Sequence, residues 1–246
     1  MHPKPAAKSR KGANDCRAIS LGTADRRAAR AAEIIKNMKV QLEWITPNAE
    51  ALVAHMARVS NPENQDNQVT APRLLRYLVE HQHWSPFEMV NMCVRIETTR
   101  AISAQLLRHR SFTFQEFSQR YAVAPRAGVP ELRRQDAKNR QSSHDDLPQE
   151  ILDKHSARIT TLLDEVHSEY EAMLADGVAK ETARSILPMC SPSTLYMNGT
   201  LRSWLHYCAL RCKPDTQREH REVADAIKLL LLENVPTIAA AMWPTQ

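Results

Sequence analysis

Apolar side chains recur along this chain at two spacings, and the switches between them mark its elements. Residues 39–45 alternate, with Val40, Leu42 and Trp44 on one side, which is the period of a strand. Residues 87–99 alternate more strongly: Val90, Met92, Val94 and Ile96 point one way and Asn91, Arg95 and Glu97 the other. Elsewhere the helical period dominates. Asn48 is placed to cap a helix running through Ala57. Residues 72–81 carry Leu74, Leu75, Leu78 and Val79 at helical spacing, and residues 100–108 follow as a short helix. The strongest helix covers residues 148–175, where Ile159, Leu162, Leu163, Val166, Tyr170, Met173 and Leu174 form one stripe and Gly177 stands at the stop. Further helices are expected over residues 179–187, ending before Pro188, and over residues 201–211. Thr216-Gln217-Arg218-Glu219 has the spacing of a capping box opening a last helix to about residue 234, with Val223, Ile227, Leu230 and Leu231 toward a core. Residues 61–67 and 125–146 read as polar loops, the second long enough to suggest a functional role. The pattern alone gives a helix-rich α+β protein.

Composition narrows the class. A chain of 246 residues fits one domain with an appended arm. The arm is residues 1–38, which hold nine Lys/Arg and three Asp/Glu; the remaining 24 basic and 25 acidic residues leave the body, residues 39–246, at −1. The overall charge of +5 therefore belongs to the arm, and a nucleic-acid surface on the body is disfavoured. Within the arm, residues 26–35 suggest a short helix, the first 20 or so residues read as disordered, and Met38 is a candidate second start. No apolar run approaches the ~20 residues of a bilayer span, and the N-terminus lacks the apolar core of a secretory signal. Cys16, Cys93, Cys190, Cys208 and Cys212 are odd in number and scattered, which fits a reducing, cytoplasmic setting better than a disulfide framework. Cys208 and Cys212 have no second close pair, so no metal is expected. The five glycines are far apart, which excludes a Walker A loop and a Gly-x-Gly-x-x-Gly turn. Any phosphate must then be met by side chains.

Residues 108–121 supply them. Arg108, His109, Arg110, Glu116, Ser118 and Arg120 crowd into one short stretch after an amphipathic turn, and arginine forks grip phosphate oxygens bidentately. Arg108-His109-Arg110, then Ser118, then Arg120 resembles the signature of the flavin-dependent thymidylate synthases (the ThyX family). His81-Gln82-His83-Trp84-Ser85-Pro86-Phe87-Glu88 is similar to the family's His-x-x-Ser/Thr-Pro-Phe-Glu segment. Ala183-Arg184-Ser185-Ile186-Leu187-Pro188 resembles its Ala-Arg-x-x-Leu-Pro segment, and residues 201–211 its Arg-Ser/Ala-Trp…Leu-Arg helix. The four blocks keep the family's order across most of the chain.

The resemblance implies an α+β fold with a central, mainly antiparallel twisted sheet flanked by helices. It implies reductive methylation of dUMP to dTMP, with FAD as cofactor, 5,10-methylenetetrahydrofolate as carbon donor and NADPH as reductant. Classical thymidylate synthases activate uracil C5 by adding a cysteine at C6; that resemblance is absent, and Cys190 has no neighbouring histidine to lower its thiol pKa. Arg211 matches the family arginine that polarises the pyrimidine, and is the expected catalytic group. The dUMP contacts carry over to Gln105, Arg108, Glu116, Ser118, Gln119, Arg120, Arg184 and Arg211. The FAD contacts carry over to His83, Ser85, Arg108, His109, Arg110, Glu116, Thr200, Leu201, Arg202 and His206. Glu116, a lone acid among arginines, reads equally well as a structural ion pair. Gln115 and Thr200 stand where asparagine is frequent, and His206 where some members have another FAD contact. The family's FAD sites are shared between subunits of a homotetramer, and the same is expected here. Two other readings remain open: a nucleic-acid-binding module, and a member that binds nucleotide without catalysis.

Overall fold

The computed structural model describes residues 40–244. The arm and its expected helix lie outside the described residues.

Four antiparallel strands form the central sheet in the order β1-β2-β6-β3: β1 (Val40–Ile45), β2 (Asn91–Thr99), β3 (Phe112–Glu116) and β6 (Pro192–Thr200). A separate two-stranded ribbon joins β4 (Arg134–Gln135) to β5 (Ser143–His144). The alternation expected in β2 is realised, since Val90, Met92, Val94 and Ile96 are wholly buried. The strand begins later than residue 87, because Ser85–Met89 turns as a 3-10 helix with Pro86 in its first turn, where a residue without an N–H is tolerated. In β1 a bulge between Leu42 and Trp44 reverses the expected facing. Trp44 is thrown outward, 47% exposed, and Ile45 packs on the core with Val40 and Leu42 in its place.

Two strands are absent from the hydrophobic pattern. β6 lies between β2 and β3, pairing from Asn91↔Thr200 to Thr99↔Pro192 on one edge and from Phe112↔Gly199 to Glu116↔Leu195 on the other. β3 comes from the middle of the arginine-rich stretch, whose residues Phe112–Glu116 form an edge strand.

The helices are α1 (Ala49–Ala57), α2 (Ala71–Glu80), α3 (Arg100–Leu106), α4 (Gln149–Ala175), α5 (Lys180–Ala183), α6 (Leu201–Arg211), α7 (Arg218–Asn234) and α8 (Pro236–Met242). Asn48 precedes α1 in the left-handed region (φ 54°) and makes no side-chain cap, so it serves as a tight entry turn. The capping box at 216–219 does not form: Gln217 occupies the cap position, and Glu219 instead accepts from Arg133 and Gln217. α8, not marked by the sequence pattern, is docked where its Ile238 N–H meets Glu50 Oε1 at 2.9 Å. Trp204 of α6 is wholly buried over the sheet, and its indole N–H donates to the Met92 carbonyl at 2.9 Å. That bond satisfies the one polar atom of a large buried ring.

On α4 only Leu163 and Tyr170 of the apolar stripe are buried, while Leu162 is exposed. Tyr170 fastens the segment after β3, its hydroxyl accepting from the Ala124 N–H at 3.1 Å. The long 125–146 segment is clamped onto α7 by Arg133 with Glu131 and Glu219, and by Arg218 with Glu131 and Asp145. Among the described residues no helix is long and apolar enough to cross a membrane.

Candidate active site

Three groups of polar side chains surround the signature segment. The first is built where the end of α6 meets the turn after α3. Arg211, the last residue of α6, donates from Nε to His109 Nε2 at 3.0 Å. His109 is therefore neutral, with its proton on Nδ1, and burial together with Arg211 lowers its pKa. The helix C-terminus favours the guanidinium, and among the described residues Arg211 has no acidic partner. Its charge is oriented without being neutralised. Tyr207, wholly buried on the same helix, sets its ring 5.0 Å from that of His109, edge-on.

His220 of α7 closes this group and was not singled out by sequence reasoning. It is wholly buried, its Nδ1 lies 3.1 Å from Gln105 Oε1, and its ring stands 5.9 Å from His109. Burial, then Arg211 and His109, push its pKa down to about 4. The one trace in the sequence is its place on the apolar stripe of α7, in phase with Val223, Ile227 and Leu231. A depressed histidine stabilises the fold in its neutral form, so this contribution is intact above pH 6.5 and is lost as the pH falls toward 4. The free energy of unfolding is expected to fall by on the order of 3 kcal/mol over that window through this ring alone. Urea titrations at several pH values check it: the drop is smaller in a His220→Leu variant.

The second group lies on the segment after β3. Ser118 and Arg120 are exposed; Gln119 is 9% exposed, and its Nε2 has no partner among the described residues. Arg120 reaches Glu181 at 3.1 Å, and the two border a cleft of about 490 Å³ with Ser118, Tyr121, Ala179 and Lys180. Both members of that pair are well exposed, so the pair holds Arg120 only weakly and leaves it available to an anion. Arg184 follows on the 3-10 turn that extends α5. No hydrogen bond or ion pair joins Arg120 or Arg184 to Arg211 or Gln105 among the described residues.

The third group gathers at the start of α6. Thr200 caps the helix, its hydroxyl accepting from the Ser203 N–H at 3.2 Å. Arg202 pairs with Glu88, the exposed His206 meets the Trp84 ring edge-on at 4.7 Å, and His83 lies against Tyr77. Ser85 opens the 3-10 turn beside them. Arg108 and Arg110 are exposed on either side of the inward-facing His109. Leu201 is wholly buried and its N–H donates to the Val90 carbonyl at 2.7 Å, so this chain does not present the expected Leu201 contact to a ligand. These donors, an aromatic face and a helix N-terminus fit the polar and planar parts of a flavin nucleotide.

Glu116 behaves as the ion-pair reading has it. Its Oε1 collects Arg100, Ser103 and Ser193, the last at 2.8 Å. Burial opposes ionisation, but these three donors win and hold its pKa below the usual carboxylate range.

Arg211 against an imidazole and the exposed Arg108, Arg110 and Arg120 give this α+β protein cations suited to an anionic, planar ligand. The family described as "Thymidylate synthase complementing protein" matches residues 41–237. A relative from Synechocystis sp., named "Flavin-dependent thymidylate synthase", is 47% identical over 193 residues, covering 78% of this chain and 89% of its own. One from Paramecium bursaria Chlorella virus 1, named "Probable flavin-dependent thymidylate synthase", is 46% identical over 212 residues, covering 86% and 98%. The crystal structure of the UMP/dUMP methylase PolB from Streptomyces cacaoi, bound with 5-Br dUMP, superposes with a TM-score of 0.73 at 27% identity, covering 83% of this chain and 94% of PolB. The chain belongs to the flavin-dependent thymidylate synthase family.

Proposed function

We propose that this protein converts dUMP to dTMP by FAD-dependent reductive methylation, taking carbon from 5,10-methylenetetrahydrofolate and electrons from NADPH, without a cysteine nucleophile. The observation that carries the reading is Arg211: a guanidinium with no acidic partner among the described residues, steadied by neutral His109. Uracil C5 attacks an electrophilic methylene only when negative charge on the ring is stabilised. A fixed cation in a partly dry site does this without covalent addition. Ser118, Gln119, Arg120 and Arg184 would receive the 5′-phosphate, and Gln105 and Arg108 the base and sugar. Glu116 would contribute its second carboxylate oxygen. His83, Ser85, Thr200, Arg202, His206 and the outward Arg108 and Arg110 would hold FAD, with His109 beside it. When bound, the flavin supplies the reducing equivalents that take the transferred methylene to methyl.

The incompletely covered stripe of α4, on which only Leu163 and Tyr170 are buried, supports sites shared across a homotetramer. The protein is expected to act in the cytoplasm.

The test is anaerobic: FAD-reconstituted protein is mixed with NADPH with and without dUMP while flavin absorbance is followed. Bleaching accelerated by dUMP supports the reading; indifference to dUMP counts against it. UMP in parallel reports whether the sugar 2′-hydroxyl is tolerated. Arg120→Ala is expected to weaken dUMP binding about 10- to 100-fold, the worth of one charged hydrogen-bonding pair, with flavin content unchanged. Titration calorimetry with dUMP measures it, and wild-type affinity would remove Arg120 from the phosphate site.

A further inference from the structure

We propose that His220 is a positioning residue for the nucleotide site, fixing the orientation of the Gln105 amide. The inference rests on the functional reading above and adds a residue to it.

Gln105 is gripped from both ends. Its Oε1 lies 3.1 Å from His220 Nδ1, and its Nε2 donates to Gln217 Oε1 at 2.6 Å. An amide oxygen must meet a ring N–H, so His220 carries its proton on Nδ1 and its Nε2 is a bare lone pair. One N–H and one lone pair remain on the Gln105 amide, a donor beside an acceptor. That pairing complements the imide edge of a uracil-type base, an N–H beside a carbonyl, and a flipped amide would present the two in the opposite order. His220 in its Nδ1–H tautomer and the Gln217 side chain together hold the Gln105 amide in this order.

A histidine kept only for packing would have both nitrogens satisfied or be replaceable by an apolar residue. Here the wholly buried Nε2 has no partner among the described residues, and neither has the Tyr207 hydroxyl, whose ring lies 5.9 Å from His220 and 5.0 Å from His109. Two unmet polar atoms thus belong to rings packed around the Arg211–His109 pair. An orphaned buried polar atom carries a desolvation penalty that a structural role leaves unexplained. The ring also stays neutral at physiological pH, so it neither opposes nor cancels the Arg211 charge.

The test uses the FAD-loaded full-length protein and measures dUMP affinity by calorimetry, flavin content, and NADPH-driven bleaching without nucleotide. His220→Leu is expected to weaken dUMP about tenfold while flavin content and nucleotide-free bleaching hold. His220→Asn, whose amide N–H takes the place of Nδ1–H, is expected to recover most of the loss; His220→Gln, with its N–H at the Nε2 place, is not. Combined with Gln105→Ala, the His220→Leu change should add nothing further, because it acts through Gln105. Equal dUMP affinity in the Asn and Gln variants, or full additivity with Gln105→Ala, overturns the proposal even if the leucine variant does not fold. Failure of the wild-type protein to bind dUMP would instead overturn the functional reading itself.

Discussion

Arg211→Ala is expected to leave FAD bound while turnover falls by about 10²- to 10³-fold, the effect of removing one preorganised charge-stabilising donor from a reaction centre. The size follows from the setting. Arg211 ends a helix whose carbonyl dipoles favour it, is aimed by a 3.0 Å hydrogen bond to His109, and has no carboxylate partner among the described residues to offset its charge. Arg211→Lys keeps a charge but loses the planar fork and its Nε bond, and is expected to recover only part of the rate. Release of the C5 hydrogen from labelled dUMP measures the chemical step directly. Normal release in Arg211→Ala would transfer the activating role to another group.

The largest expected effect on stability is at Gly199. A Cβ built there stands 2.4 Å from Phe112 Cδ1 and 2.7 Å from Cε1, closer than real atoms approach. The ring cannot simply move away, because it packs on Trp204 at 4.5 Å and against Tyr207 at 5.9 Å. Gly199→Ala is therefore expected to cost about 3 kcal/mol, the upper end for overpacking a dense core. Urea unfolding measures it, and a loss below 0.5 kcal/mol would mean that β3 slides freely on β6. A second variant, Gly199→Ala with Phe112→Leu, should recover part of the loss by clearing the ring.

The same glycine explains why the central strand was illegible. β2 could be read because Val90, Met92, Val94 and Ile96 alternate without interruption. On β6 only Leu195 and Met197 keep that alternation. The inward places on either side are Ser193, which serves Glu116, and Gly199, which admits Phe112. Particular contacts displaced the apolar residues that would have revealed the strand. Trp44 misleads for a related reason, since a bulge is a property of pairing with β2 and leaves no mark on β1 alone. The candidate site residues divide in the same way. Those in the contiguous signature, with Arg184, Arg202 and Arg211, stand in blocks that the sequence displays. His220, Tyr207 and the pairing of Arg202 with Glu88 do not, because they depend on neighbours brought together by folding.

The central place of β6 also dictates an order of assembly. When synthesis has reached residue 191, β2 and β3 exist but share no partner, and one edge of β2 presents unpaired backbone groups. The strand that joins them arrives about a hundred residues after β2. Pairing so distant in sequence closes slowly, leaving the nascent chain exposed to misassociation at that edge. Yield in cells should therefore respond more to chaperone supply and growth temperature than the stability of the finished sheet would suggest.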